Sequence, residues 1–258
     1  MKLTLVRNAT QLLSYAGKTF LIDPMFAEKG AWPGFAGTAR SHLRNPLVSL
    51  PVAPETLLSA DAIIITHLHT DHWDESAQQL IPKDKLIYAQ NEQDAEQIRA
   101  QNFTNVHLLK NEILFHDITI FKTDGQHGSN EAYRVPELAA RLGETCGLVF
   151  QHPQEKTLYI AGDTVWAAPY SEALKRYNPD IVVLNAGSAQ LDGFGAIIME
   201  KEDVLKTHRM LPDAVIVAVH MEAINHCILS RAELKDYVTA QGIARQVQIP
   251  EDGESLLF

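Results

Sequence analysis

Five short apolar runs, rich in β-branched residues and each closed by polar side chains, limit what this chain can fold into. Ala62-Ile63-Ile64-Ile65 leads into Thr66-His67, and Ile118-Thr119-Ile120-Phe121 into Thr123-Asp124-Gly125-Gln126-His127. Leu158-Tyr159-Ile160-Ala161 leads into Gly162-Asp163-Thr164, Ile181-Val182-Val183-Leu184 into Asn185-Ala186-Gly187, and Val215-Ile216-Val217-Ala218-Val219 into His220. Runs of this length and branching predict largely buried strands. Between them the pattern predicts helices over 74–80, stopped by Pro82, over 91–101, over 200–210, and over 230–241, where Gly242 ends the last. The opening reads instead as hairpins: Leu3 to Arg7, Gln11 to Tyr15, a turn at Gly17, then Thr19 to Asp23. Strands alternating with helices, plus hairpins, make a mixed α/β layer architecture. Its 258 residues suit one domain of the larger α/β kind, or two small ones. Residues 27–54, rich in Gly, Pro and aromatics and without a clear period, read as a long ordered loop, a kind of segment that is often functional.

Charge and cysteine content narrow the partners. Lys and Arg total 22 against 32 Asp and Glu, a net charge of -10. That balance leaves no broad basic face for nucleic acid, and points to a small-molecule substrate. No apolar run approaches the ~20 residues that span a bilayer, and the start of the chain has no signal-peptide pattern. A cytoplasmic protein is therefore expected, with no membrane partner. Homo-oligomerisation stays open. Cys146 and Cys227 fit that compartment as two unrelated reduced thiols.

The run His67-Leu68-His69-Thr70-Asp71-His72 carries the chemistry. In extended backbone, side chains two apart share a face, so His67, His69 and Asp71 can point into one cleft. Adjacent His72 can then reach a second centre. Imidazole and carboxylate are ligands that zinc, manganese and iron accept. A single histidine at a strand end is usually a satisfied polar residue; three histidines and an aspartate within six positions, straight after a buried strand, are hard to explain that way. In open α/β sheets ligands bind outside the carboxyl ends of strands, where His127, Asp163 and His220 each sit. Gly125 and Gly128 permit close backbone approach beside His127, and an Asp163 buried without a cationic neighbour would be costly. Together these make five histidines and two aspartates, enough for two metals.

With these residues in place, the sequence resembles the metallo-β-lactamase-fold superfamily, and within it the branch related to ascorbate-6-phosphate lactonase. His67-x-His69-x-Asp71-His72 is similar to its signature; His127, Gly162-Asp163-Thr164 and His220 are similar to its later ligands, and Leu21-Ile22-Asp23-Pro24 to its opening. The resemblance covers nearly the whole chain. It implies a single domain over 1–258, a four-layer αββα sandwich with a dinuclear site between its sheets. It also implies that His67, His69 and His127 hold one ion, that Asp71, His72 and His220 hold another, and that Asp163 bridges. The chain departs from many members where Trp73-Asp74 follows the motif, where Asn8-Ala9-Thr10 stands, and in His220-Met221-Glu222. None of these departures removes a ligand.

Two divalent ions about 3.5–4 Å apart can share a hydroxide, because the pKa of a bound water falls towards ~7. The expected activity is thus a metal-dependent hydrolase that attacks a small ester or lactone, with zinc the default ion and manganese or iron acceptable to the same donors. Asp71 is the candidate catalytic group, orienting the nucleophile or passing a proton. Four positive charges against Asp71, Asp163 and one hydroxide leave the cleft cationic, so an anionic substrate is expected. Arg40, Arg44 and Asn45 of the loop, with Asn130 and His226, are candidate substrate contacts; each arginine could equally be solvated or paired. Trp32, Phe35 and His42 of the loop, with Ser129 and Arg134 beyond His127, are further candidates of the same kind. A small-molecule or cyclic phosphodiesterase is the enzymatic alternative. A non-hydrolytic di-metal redox or binding protein fits less well, since His69 stands where di-iron relatives carry Glu.

Overall fold

The computed structural model describes residues 1–258. The opening forms an antiparallel meander of β1 (Lys2–Arg7), β2 (Thr10–Tyr15) and β3 (Lys18–Ile22). Across the long loop, β4 (Ala62–Ile65), β5 (Ile87–Ala89) and β6 (Val106–Leu108) add to β3 in parallel. A second sheet takes β7 (Glu112–Phe115), β8 (Ile118–Asp124), β9 (Cys146–Gln151) and β10 (Leu158–Ile160) antiparallel, then β11 (Ile181–Asn185) parallel to β10. After a small hairpin of β12 (Gln190–Leu191) and β13 (Gly195–Ala196), β14 (Val215–Val219) and β15 (Val247–Gln248) continue the second sheet in parallel. The last strand, β16 (Ser255–Leu257), returns to pair with β1, so each large sheet has seven strands.

Seven helices accompany them: α1 (Glu75–Leu80), α2 (Glu92–Ala100), α3 (Asn130–Tyr133), α4 (Pro136–Leu142), α5 (Ala168–Tyr177), α6 (Lys201–Met210) and α7 (Arg231–Ala240). Asp74, Asn91 and Ser230 cap α1, α2 and α7 by accepting from the backbone N–H three residues on, as the sequence pattern expects. Helix α5 escapes that pattern because no side chain caps it and a proline opens it; it is held by Tyr170, Ala173 and Leu174, buried on one face.

The apolar runs are continuous because both faces of each sheet are covered. Alternate residues of β4 face opposite cores: Ala62 and Ile64 meet Ile120, Leu148 and Ile160 between the sheets, whereas Ile63 and Ile65 pack with Ala77 of α1 and Ile98 of α2. In β11, Ile181 and Val183 face the inter-sheet core, and Val182 and Leu184 pack with Leu174, Val204 and Leu234 of the outer helices. The order of layers is therefore αββα, the sandwich expected from the sequence. No helix is long and apolar enough to cross a membrane.

Residues 27–54 contain no β-strand or α-helix, only isolated bridges and, at Pro54, the start of a 3-10 turn, yet they are pinned. The buried Arg7 guanidinium donates to the carbonyls of Met25, Ala27 and Val48. Asn225, also buried, accepts from the Phe35 N–H (3.1 Å) and from Asn45 Nδ2 (2.7 Å), and donates to Thr38 Oγ1 (3.0 Å) and the Ala39 carbonyl (2.8 Å). These bonds hold the loop over the carboxyl end of the second sheet.

Candidate active site

Strand direction assembles the site. Because β8, β10, β11 and β14 all run the same way, residues just past their ends share one edge of the sheet. His127, Asp163, Asn185 and His220 are gathered there, and β4 delivers the His67–His72 run from the facing sheet. Gly162 makes the turn before Asp163 at φ +68, and a Cβ there would collide with the Cys146 carbonyl; no other residue fits without moving backbone. His220 itself adopts φ 60, a strained conformation of the kind that persists where surrounding bonds hold a functional residue. Its backbone N–H is tied to the Asn8 carbonyl at 2.9 Å.

Seven side chains converge. His67 Nε2 lies 3.0 Å from His69 Nδ1, which lies 3.2 Å from His127 Nε2. His220 Nε2 lies 3.3 Å from His72 Nε2 and 3.2 Å from Asp71 Oδ2. Asp163 Oδ2 stands between the two groups, 3.2 Å from His72 Nε2, 3.5 Å from His127 Nε2 and 3.8 Å from His67 Nε2. Three sets can each hold a metal ion: His67, His69 and His127; His67, His72 and Asp163; and Asp71, His72 and His220. Ligand bonds of ~2.0–2.1 Å at tetrahedral angles separate donor atoms by about 3.3 Å, which is the spacing found. The donor set fits divalent ions.

Each histidine also fixes its outward nitrogen. His127 Nδ1 donates to the Ile197 carbonyl (2.8 Å), His69 Nε2 to the Arg141 carbonyl (2.8 Å) and His72 Nδ1 to Asp23 Oδ2 (2.8 Å). Thr66 Oγ1 donates to Asp23 Oδ2, so it accepts from His67 Nδ1. Cys227 Sγ lies 3.3 Å from His220 Nδ1. With an ion bound, such outer bonds would leave the inward nitrogens' lone pairs to the metal, the arrangement that metal-ligating histidines use.

This geometry agrees with the sequence comparison, in which the β-lactamase superfamily domain matches residues 18–221. The chain belongs to the metallo-β-lactamase-fold superfamily. Among members of that superfamily, the chain is similar to an isothiocyanate hydrolase from Delia radicum gut bacteria, with 61% identity, a TM-score of 0.99 and coverage of 100% of this chain and 99% of that one. It is 46% identical to the UPF0173 protein YddR of Bacillus subtilis over the full length of both. A crystal structure described as a possible metal-dependent hydrolase from Veillonella parvula is 40% identical, with a TM-score of 0.98 over 100% of this chain and 99% of that one. None of these three is described as an ascorbate-6-phosphate lactonase.

Electrostatics divide the superfamily site. Burial, reinforced by neighbouring histidines, pushes His67 well below the usual range; burial also takes His127 down to about 4. Burial opposes charge on His72 too, but Asp163, Asp23 and Asp71 outweigh it and raise His72 to about 10. His220 is raised in the same way against its burial, chiefly by Asp163. Asp71 and Asp163, which burial alone would raise, are held far below the carboxylate range by His72 and His220.

Above the cluster opens a cavity of about 180 Å³, lined by His69, Asp71, His127, Asp163 and His226 and by an apolar wall of Phe35, Leu68, Leu142, Leu191 and Ile197. Of the candidate substrate contacts, the structure brings His226 and Phe35 to this lining. Arg40 spends its guanidinium on the carbonyls of Asn225 and Cys227. Arg44 donates to the Gly30 and Ala31 carbonyls from an exposed position. Asn45 is buried against Asn225, and the exposed Asn130 accepts from Gln126. These four brace the loop and neighbouring backbone, so their expected place against substrate is replaced by a bracing one. The loop does reach the cavity, through Phe35 and Thr38.

Sequence reasoning missed the residues that support the cluster. Asp23 receives both Thr66 groups and His72; its only signal was its place in Leu21-Ile22-Asp23-Pro24. Asn185 donates to Asp163 Oδ1 at 2.6 Å, and its signal was a strand end like the others. Arg141, the single cationic side chain of the cavity lining, carried none, because α4 itself was unread.

Proposed function

We propose that this protein is a metal-dependent hydrolase, one domain over residues 1–258, that acts on isothiocyanates bearing a small apolar group. The observation that carries the reading is the largely apolar cavity set directly over the seven converging donors. His67, His69 and His127 would hold one divalent ion, Asp71, His72 and His220 a second, and Asp163 would serve both, with zinc the default ion. The bound ions would supply Lewis acidity and lower the pKa of water to near neutrality. Asp71 faces the cavity and is held ionised by His72 and His220, so it can accept a hydrogen bond from the attacking water and orient it. Water oxygen bonds the central carbon, the C=N electron pair moves to nitrogen, and nitrogen receives the water's proton. The thiocarbamic acid so formed divides as its C–N bond breaks and its hydroxyl proton passes to nitrogen: R–N=C=S + H2O → R–NH2 + O=C=S.

Charge argues for an anionic substrate less strongly than the ligand inventory alone implies. Asp23, in direct contact with His72, adds a carboxylate that the sequence-based count omits. Two divalent ions are then balanced by Asp71, Asp163, Asp23 and one hydroxide, which leaves Arg141 as the one unbalanced positive charge of the lining. The relative at 61% identity supports the isothiocyanate class of substrate.

A second reading keeps the ester or lactone substrate, or a small phosphodiester, and rests on Arg141 at the cavity wall as partner for an anionic group. One experiment separates the two. Metal content is measured on protein purified without added metal, and turnover is assayed on benzyl and phenethyl isothiocyanate beside lactones, esters, cyclic phosphodiesters and β-lactams. Amine release from isothiocyanates, with two equivalents of metal, is expected. Turnover confined to anionic lactones or phosphodiesters would transfer the assignment to the second reading; protein that stays folded and inactive after reconstitution would sink both.

A further inference from the structure

His226 differs from every histidine of the cluster below it. Those five rings have both nitrogens engaged, one inward and one outward. His226 is 5% exposed and lines the cavity, yet its Nδ1 is buried with no hydrogen-bond partner. Its neighbour in the chain, Asn225, satisfies both ends of its amide within the loop, so the local backbone does provide partners where the fold requires them. An unpaired buried polar group costs about 1–3 kcal/mol, and one kept in a native site calls for an explanation. Packing does not supply a polar one: Phe35 meets the ring edge-on, with centroids 5.0 Å apart and planes at 89°.

The protonation pattern follows. Burial takes His226 down to about 3, so the ring is uncharged at neutral pH and carries one N–H. A buried N–H with no acceptor is the rarer kind of orphan, which puts the lone pair on Nδ1 and the proton on Nε2, the edge left to face the cavity. Its neighbours in the apolar wall, Phe35, Leu68, Leu142, Leu191 and Ile197, have no polar side-chain atom; the other non-ligand donors of the lining are Thr38, Thr70 and Arg141.

We propose that His226 is a catalytic residue whose neutral ring N–H hydrogen-bonds the isothiocyanate nitrogen as the electron pair gathers on it. The inference rests on the isothiocyanate reading of the site. No proton leaves the ring: the proton that ends on nitrogen comes from the attacking water, and His226 stabilises the nitrogen while its charge is largest. A fixed donor aimed at developing charge contributes on the order of 10²–10³-fold in rate. Phe35 and the Asn225-clamped loop hold the ring in place, which gives the long loop a part in the chemistry.

The test uses metal-reconstituted wild type, His226→Phe and His226→Gln, with benzyl isothiocyanate as substrate. The Phe variant is expected to lose about 100-fold in kcat, with KM nearly unchanged and with metal content and melting temperature as in wild type. Glutamine, which keeps an N–H donor, should recover about a tenth of the wild-type rate. A Phe variant with wild-type kcat would overturn the role of His226 and leave the isothiocyanate reading standing. A wild-type enzyme that turns over no isothiocyanate would overturn that reading and this inference with it. A measurement without substitution guards against a variant that fails to fold. In 15N-histidine-labelled holoenzyme, the S-methyl thiocarbamate of benzylamine should shift the His226 ring nitrogens; no shift at saturation would overturn the contact.

Discussion

The two triads that meet at Asp163 use similar side chains in opposite charge states. Around His67, His69 and His127, burial dominates, and His67 and His127 sit below the usual imidazole range. Around Asp71, His72 and His220, carboxylates outweigh burial, and both histidines sit above it. In the metal-free protein His67 and His127 therefore present lone pairs, whereas His72 and His220 keep protons that an arriving ion must displace. The difference shows that donor identity alone does not define a metal site. The placement of Asp23 and Asp71 on one side, and of neighbouring rings on the other, decides how each half is protonated.

Several outcomes would break or sharpen this contrast. The largest effect is expected from Asp163→Ala, which removes the carboxylate between the halves: hydrolysis should fall by more than about 10³-fold, with metal lost from both. Elemental analysis beside a rate assay checks it, and full activity would mean Asp163 joins nothing. His69→Ala should also abolish turnover while leaving the other triad able to hold an ion, so that metal content drops towards one equivalent. Asp23→Asn should weaken the ion held by Asp71, His72 and His220 by about 10–100-fold, more than its partner, since it removes the charge on His72 directly. Competition with a chelating dye can read both constants.

The protonation contrast has a sign that can be measured. Raised histidines are protonated at neutral pH and must release protons on binding metal, so affinity at that triad should climb as pH rises from 6 to 8. His127, pushed down to about 4, is already neutral throughout that window, so the first triad should depend on pH less steeply. Calorimetric titration of metal-free protein in buffers of different ionisation enthalpy gives the proton counts directly; equal counts for the two ions would erase the distinction. The smallest effect is expected at His152→Ala. That ring pairs with the exposed Asp117 on the surface, at 3.1 Å, a contact that solvent screens, and activity should be nearly unchanged.

The sequence by itself determined the layers and the seven converging side chains. Both are local matters: a β-branched run buried on two faces reads as apolar at consecutive positions, and side chains just past its end fall on the binding edge. His67, His127, Asp163 and His220 could be named for that reason. The N-cap residues Asp74, Asn91 and Ser230 were legible in the same way, because a cap acts within three residues. Only the tertiary structure decided what surrounds the cluster. Asp23 meets His72 across 49 residues and Arg40 meets Asn225 across 185, and no short-range pattern encodes such pairings. Whether an arginine in a loop clamps a substrate or its own backbone depends on which carbonyls the folded chain brings within reach. Here the nearest acceptors for Arg40 and Arg44 are main-chain oxygens, and the wall of the cleft is left to Phe35, the leucines and His226. The same long-range packing set an apolar wall and Arg141 beside the cluster.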